Sequence, residues 1–192
     1  NPASAPGTTL SGIMVLRTAE GPYWLSFNVG DSRVYVVGGG GIRQLTHDHS
    51  ALQEARDLTA TSGAPRVIPP ANVVTKALGA GQTGSVKADY TIMPLEEGDR
   101  AVICTDGVHG VLRDSQIHAV VAAGDGPQGT ADTLVRASLE SGTRDNTTAV
   151  VVYAGTKSRV TLTSDVMNRM IQPVRPASIE TARPVPRREG SN

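Results

Sequence analysis

An apolar strand that runs directly into a carboxylate organises this sequence. Residues 100–107 read RAVICTDG, so that Asp106 and a glycine follow a run of strand-forming residues. A carboxylate at the end of a buried strand loses hydration unless something compensates it, and a hard divalent cation does so efficiently. A single Asp-Gly is more often a turn whose aspartate bonds its own backbone. The stretch predicts a strand over Arg100–Cys104 and makes Asp106 a candidate ligand, with the turn as the alternative.

Clusters of short strands and then helices surround this strand. Runs of apolar and β-branched residues between turn residues predict further strands over Leu10–Arg17, Tyr23–Asn28, Arg33–Val37, Asn72–Lys76, Val86–Ile92 and Thr147–Tyr153. Ser50 and Gln53 form a capping-box pattern that predicts a helix from Ser50 to Gly63. Asp114 is expected to cap a second helix over Ser115–Ala123, and helical spacing of apolar residues predicts a third over Gln128–Glu140. Strands in clusters followed by helices in clusters indicate an α+β fold and not an alternating parallel one.

Length and composition limit what the chain can be. Its 192 residues, 39% hydrophobic and 19% charged, are enough for one domain with a hydrophobic core. The single cysteine, Cys104, excludes an intrachain disulfide, and no apolar run approaches the ~20 residues that span a bilayer. We therefore expect a cytoplasmic protein without a transmembrane segment.

The balanced charge hides two unlike parts. Residues 155–192 carry seven basic and three acidic side chains, a net charge of +4, which leaves −4 on residues 1–154. Prolines and scattered arginines replace apolar clusters in the same region, as is typical of a linker. We predict a domain over residues 1–154 and a basic tail or linker over 155–192, which binds an acidic partner or leads to another domain. Since the whole chain is neutral, we expect no nucleic-acid partner.

Two more aspartates lie at the edges of predicted strands. Asp31 is in the turn between the second and third strands, and Asp145 directly precedes the last one. A competing site is His47-Asp48-His49, because alternate residues of an extended segment point the same way and two imidazoles can bind zinc. No second His/Asp pair follows it, however. A nucleophilic role for Cys104 lacks an adjacent base.

Six short motifs follow one another along the chain: GTTL from Gly7, NVGDSRVY from Asn28, LTHDHS from Leu45, VTKALG from Val74, GDR to CTDGV over Gly98–Val108, and RDNTT from Arg144. In this order they resemble the metal-dependent type 2C (PPM) serine/threonine protein phosphatases, in the bacterial style. The resemblance covers about Gly7 to Val152 and omits the tail. It implies two packed antiparallel β-sheets flanked by helices.

The resemblance also implies a site and an activity. Asp106 and Asp145 would each bind one of two Mn²⁺ or Mg²⁺ ions that share a water, and Asp31 would line a weaker third-metal site. Asn146 would steady Asp145, and Ser50–Asn72 would form a flap at the substrate entrance. Oxygen ligands suit these ions better than zinc. The implied reaction is hydrolysis of phosphoserine and phosphothreonine in proteins by a metal-activated water. Phosphorylated proteins would be the partners, and no catalytic or substrate-binding side chain is assigned.

The sequence departs from the family pattern at two places. The family's opening segment supplies an Asp-Gly whose aspartate bridges both ions, but only six residues, without a carboxylate, precede Gly7. The family also often has an acid where this chain has Gly110. We expect a longer protein whose N-terminal segment supplies the bridging ligand. The alternative is a catalytically inactive relative that serves as a binding or regulatory module.

Overall fold

The computed structural model describes residues 5–63, 68–81 and 84–155 of the chain. These residues belong to one compact unit. They form the strands and helices β1 (Gly7–Thr8), β2 (Leu10–Thr18), β3 (Gly21–Val29), β4 (Arg33–Gly38), β5 (Gly41–Gln44), α1 (Ala51–Ser62), β6 (Leu78–Gly79), β7 (Asp89–Pro94), β8 (Arg100–Cys104), α2 (Asp106–His109), α3 (Asp114–Ala123), α4 (Pro127–Glu140) and β9 (Ala149–Tyr153). The predicted tail lies outside the described residues, apart from Gly155.

Two antiparallel sheets pack face to face. One has four strands in the order β5-β4-β8-β9, the other has three in the order β2-β3-β7, and β1 pairs with β6 in a two-stranded ladder. Alternate residues of β4 face opposite layers, as the two-residue period of a strand requires. Val34 and Val36 pack with Trp24 of β3 between the sheets. Tyr35 and Val37 face the helices instead.

Helices cover the other face of the four-stranded sheet. Val108 of α2, Ile117 and Val121 of α3 and Leu134 of α4 are fully buried against it. The apolar spacing on α3 and α4 explains this packing, since residues three or four apart share one face of a helix. The predicted α+β sandwich of two antiparallel sheets with flanking helices is therefore confirmed.

The structure corrects several element boundaries. The segment 72–76 is not a strand and makes one isolated bridge, Ser50 to Val74. The strand expected over Val86–Ile92 runs over Asp89–Pro94, because Asp89 pairs with Asn28 and Pro94 with Tyr23. Strands β1, β5 and β6 and the one-turn helix α2 were not predicted. Each has four residues or fewer, which is too short to show a period.

Arg100 ties the end of α3 to the last strand. Its Nη1 contacts the backbone carbonyl of Val121 and donates to those of Ala122 at 3.1 Å and Gly124 at 2.9 Å. Its guanidinium carbon lies 4.4 Å from the centre of the Tyr153 ring. A cation at this end of a helix satisfies carbonyls that have no helical partner and opposes the helix dipole.

We expect Arg100→Met to lower the free energy of unfolding by about 2 kcal/mol, because several carbonyls lose a charged donor and the ring loses its cation. Urea denaturation measures the loss. Arg17→Met is the matched control, since Arg17 is exposed near the end of β2 and its side chain makes no hydrogen bond or ion pair with a described residue. Equal losses in the two variants would show that the helix end does not depend on Arg100.

Candidate functional site

The three predicted aspartates line a single cleft of about 460 Å³. Sequence spacing could not show this, but strand register explains it. Arg33 at the start of β4 pairs with Cys104 at the end of β8, and Cys104 pairs with Ala149 at the start of β9. Asp31, Asp106 and Asp145 precede or follow these residues by two to four positions. The antiparallel ladder therefore brings their loops to one edge of the four-stranded sheet.

Close packing of the start of α2 against the loop before β9 sets the position of Asp106 relative to Asp145. A Cβ atom on Gly107 would lie 2.4 Å from the Asn146 carbonyl oxygen and 2.8 Å from Thr147 Oγ1, so that only glycine fits between them. Thr105 Oγ1 donates to the same Asn146 carbonyl at 3.1 Å. Gly107 is thus required by the close approach of α2 to the loop before β9.

Asp145 is held by the backbone that follows it. The Asn146 N–H donates to Asp145 Oδ1 at 2.7 Å, and Thr147 Oγ1 donates to the Asp145 carbonyl at 3.1 Å. Asn146 was expected to steady Asp145, and the contact seen is made by its main chain. The Asn146 side chain bonds no residue in the described part of the chain. The second carboxylate oxygen of Asp145, Oδ2, has no partner among these residues either.

Asp31 is buried in the cleft and, unlike Asp48, forms no ion pair with a described residue. Burial raises the pKa of the Asp31 carboxyl, and the negative charge of Asp106 raises it further. The preceding Gly30 has a positive φ of 113°, and a Cβ atom there would lie 2.3 Å from a methyl carbon of Thr9. Packing thus forces Asp31 into a turn where its charge opposes that of Asp106, and a cation between them would relieve this repulsion.

His109 links the turn of Asp31 to the helix of Asp106. Its Nε2 lies 3.0 Å from the Asp31 backbone oxygen, and because a carbonyl only accepts, Nε2 carries the proton. Burial lowers the pKa of His109, and the nearby Arg33 charge lowers it further. Sequence reasoning missed this residue, although a helix begun at Asp106 puts positions three apart on one face. The single helical turn gave too little pattern.

Arg33 and Asp48 form the wall of the cleft. Arg33 Nε donates to both Asp48 oxygens at 2.9 and 3.0 Å, and Nη2 donates to Oδ2 at 2.7 Å. Gln44 Nε2 adds a bond to Asp48 Oδ1 at 3.0 Å. Burial alone would lower the pKa of Arg33, but its hydrogen bonds to Asp48 and Tyr35 outweigh burial and raise it. The Arg33 guanidinium is therefore held by Asp48.

The two histidines of the His-Asp-His triplet have separate partners. His47 Nε2 lies 2.8 Å from Asp57 Oδ2. His49 Nδ1 accepts the Gly30 N–H at 2.9 Å, and its Nε2 lies 3.0 Å from Asp89 Oδ2. Neither ring lines the carboxylate cleft. The geometry gives no support to a shared zinc ion at His47 and His49.

The donor set suits a hard divalent cation, although it is incomplete. Within the described residues, no three His, Cys, Asp or Glu side chains are grouped closely enough to hold a metal ion. The cleft nevertheless gathers four carboxylates, of which only Asp48 is paired with an arginine. The Asp106 carboxylate has no hydrogen-bond or ion-pair partner among the described residues. Carboxylate oxygens are the ligands that Mg²⁺ and Mn²⁺ prefer. The residues present therefore fit part of a metal site.

Proteins of known name and of known structure are similar to this chain in sequence and in fold. Protein phosphatase PhpP of Streptococcus pneumoniae is 29% identical over 149 residues, covering 76% of this chain and 57% of that protein. The PPM Ser-Thr phosphatase MsPP of Mycobacterium smegmatis, solved with cacodylate, is 31% identical with a TM-score of 0.63, over 78% of this chain and 63% of that one. The catalytic domain of the phosphatase PstP, solved with two manganese ions, is 28% identical with a TM-score of 0.65, over 78% and 60%.

In sequence and in fold the chain is similar to the bacterial PPM, or type 2C, family of serine/threonine protein phosphatases. It spans somewhat over half the length of the pneumococcal relative. No protein-family model matches it. None of the helices in the described ranges is long and apolar enough to cross a membrane.

Proposed function

We propose that the protein hydrolyses phosphoserine and phosphothreonine in other proteins, using two Mn²⁺ or Mg²⁺ ions. The observation that carries the proposal is the convergence of Asp31, Asp106 and Asp145 on one cleft in a chain similar to this family. In the proposed arrangement Asp106 and Asp145 each hold one ion, and Asp31 contributes to a weaker third site. When bound, the cations would activate a water for attack on phosphorus and neutralise the phosphoryl oxygens.

The protein residues position these ligands and keep other groups out of the reaction. The Asn146 N–H orients the Asp145 carboxylate, and His109 fixes the Asp31 turn beside α2. Burial raises the pKa of Cys104 to about 12, so its thiol stays protonated near neutral pH. Hydrolysis by water without a covalent phosphoenzyme is consistent with this lack of a thiolate.

The segment Ser50–Asn72 is proposed to shape the substrate entrance. Leu52 and Arg56 of α1, together with Ala71 and Asn72, line the same cleft as the aspartates. Helix α1 begins at Ser50, whose Oγ accepts the Gln53 N–H at 3.2 Å. Backbone bonds from Ala51 to Val73 and from Thr75 to His49, both 2.9 Å, join the two ends of the segment.

The domain bounds, the tail, the cellular location and the class of substrate are proposed as well. We propose that residues 1–154 belong to the phosphatase domain, that residues 155–192 form a tail, and that the protein acts in the cytoplasm on phosphorylated proteins. The inactive-module alternative gains no support from the relatives, which are named phosphatases.

Phosphate release from a phosphothreonine peptide by the full-length protein tests the proposed function. We expect release in the presence of Mn²⁺, its loss when a chelator removes the ion, and its return when Mn²⁺ is added again, because the proposed nucleophile is a water that the metal ions activate. Release that persists after complete chelation would contradict a metal-dependent mechanism. No release with either Mn²⁺ or Mg²⁺ would favour the binding module.

A further inference from the structure

Two arginines in the carboxylate cleft have no partner within the described part of the chain. Arg56 of α1 and Arg144, the residue before Asp145, both line the cleft. Both are exposed, and neither guanidinium makes a hydrogen bond or an ion pair with a described residue. Arg33, the third arginine of the cleft, is instead held by Asp48 at 2.7 Å. Arg56 and Arg144 are therefore available to a ligand.

The two arginines come from separate segments of the fold. Arg56 lies in the second turn of α1, which belongs to the segment at the cleft entrance. Arg144 lies in the loop before β9 and is joined in sequence to a proposed metal ligand. A group that contacts both arginines from within the cleft therefore shares that cleft with Asp106 and Asp145.

Bound cations would change the sign of the charge in the cleft. Its lining holds four aspartates and three arginines, a net charge of −1. Two divalent ions add four positive charges, which makes the net charge +3. Carboxylates that bind the ions no longer attract Arg56 and Arg144, so these arginines remain free. A polyanionic ligand then gains from the whole positive cleft.

We propose that Arg56 and Arg144 bind the carboxylate side chains that flank the phosphorylated residue of the substrate. This inference rests on the proposed function and names its substrate class, phosphosites in acidic sequence. In the proposed function bound metal ions would neutralise the phosphoryl group, which would leave the two arginines for neighbouring anions. Guanidinium groups bind carboxylates through paired hydrogen bonds. An exposed pair of this kind increases affinity by up to about 5-fold.

Steady-state kinetics of the full-length protein with two matched phosphothreonine peptides tests the proposal. One peptide carries glutamates beside the phosphothreonine and the other carries lysines. We expect kcat/KM to be about 10-fold higher for the acidic peptide, an estimate from two exposed ion pairs. The double variant Arg56→Gln/Arg144→Gln should abolish this preference by raising KM and not by lowering kcat. Arg43→Gln should retain it, because Arg43 is equally exposed but lines a different cleft with Gly38–Gly41.

A third substrate, p-nitrophenyl phosphate, has a phosphoryl group but no flanking carboxylates. It therefore shows whether the arginines bind the phosphoryl group or the carboxylates of the peptide. If the double variant raises its KM as much as that of the acidic peptide, the arginines bind the phosphoryl group and the proposal is overturned. A wild-type enzyme without an acidic preference, or a double variant that keeps it, overturns it as well.

If the proposed phosphatase function is wrong, none of the three substrates releases phosphate, and this outcome differs from every outcome described above. Binding of the same peptides, labelled and followed by fluorescence anisotropy at low and physiological salt, then still tests the arginines. We expect tighter binding of the acidic peptide and its loss in the double variant. Equal binding of both peptides by wild type and double variant would overturn the proposal.

Discussion

Asp106→Ala and Asp145→Ala are each expected to lower Mn²⁺-dependent phosphate release by at least ~10²-fold, because even partners that only support a metal ligand are worth 10- to 100-fold. Each of these carboxylates is proposed to hold one of two ions, so that its loss removes an ion and not merely its orientation. The measurement is kcat/KM of the full-length variants on a phosphothreonine peptide at saturating Mn²⁺.

The matched control for these variants is Asp132→Ala. Asp132 is exposed on α4, where it accepts a hydrogen bond from Gln128 at 2.8 Å, and it does not line the cleft. Its activity should equal that of the wild type. Thermal unfolding of each variant shows whether a lost activity reflects lost folding. If folded Asp106→Ala and Asp145→Ala proteins retain most of their activity, these residues are not metal ligands.

Asp48→Ala is expected to lower the free energy of unfolding by about 3–5 kcal/mol, the usual effect of removing one member of a buried ion pair. Asp48 is 6% exposed, and its loss leaves the Arg33 guanidinium, 16% exposed, without its main partner. The remaining bond from Arg33 to the Tyr35 hydroxyl, at 2.9 Å, joins it to a neutral group. Urea denaturation measures the change.

The His47–Asp57 pair provides the contrast for Asp48. Its side chains are 55% and 47% exposed, and Asp57→Ala should therefore change stability little. Replacing both members of the buried pair, as Arg33→Met/Asp48→Leu, should restore much of the lost stability, because neither charge of the pair is then left without its partner. An Asp48→Ala loss no larger than that of Asp57→Ala would show that Arg33 finds other compensation.

Strong local signals in the sequence predicted the central elements of the fold. The strand Arg100–Cys104 has the predicted bounds, because four consecutive apolar residues between polar ends leave little alternative. Ser50 caps α1 as predicted, through a bond to the Gln53 N–H. The reciprocal half of that capping pattern does not form, since the Gln53 side chain bonds Asp57 at 2.9 Å instead. The partner of the Gln53 side chain depends on Asp57, which is not part of the capping pattern.

The site was predictable only in part, because its contacts are long-range. The aspartates could be named from the motifs, but their convergence depends on the register of β4, β8 and β9. The cap of α3 was also predicted only in part. Asp114 was expected to cap α3, but it is the first helical residue, and Gln116 accepts the Arg113 N–H at 3.0 Å. The roles of His109, Arg56 and Arg144 likewise follow from positions in space.

Anomalous diffraction from crystals of the full-length protein grown with Mn²⁺ shows where manganese binds. We expect manganese peaks in the carboxylate cleft, within ~2.5 Å of oxygens of Asp106 and Asp145, a distance typical of such ligands. We also expect Asp145→Ala to remove a peak. Manganese absent from this cleft at saturating concentration, or bound instead at His47 and His49, would contradict the proposed metal site.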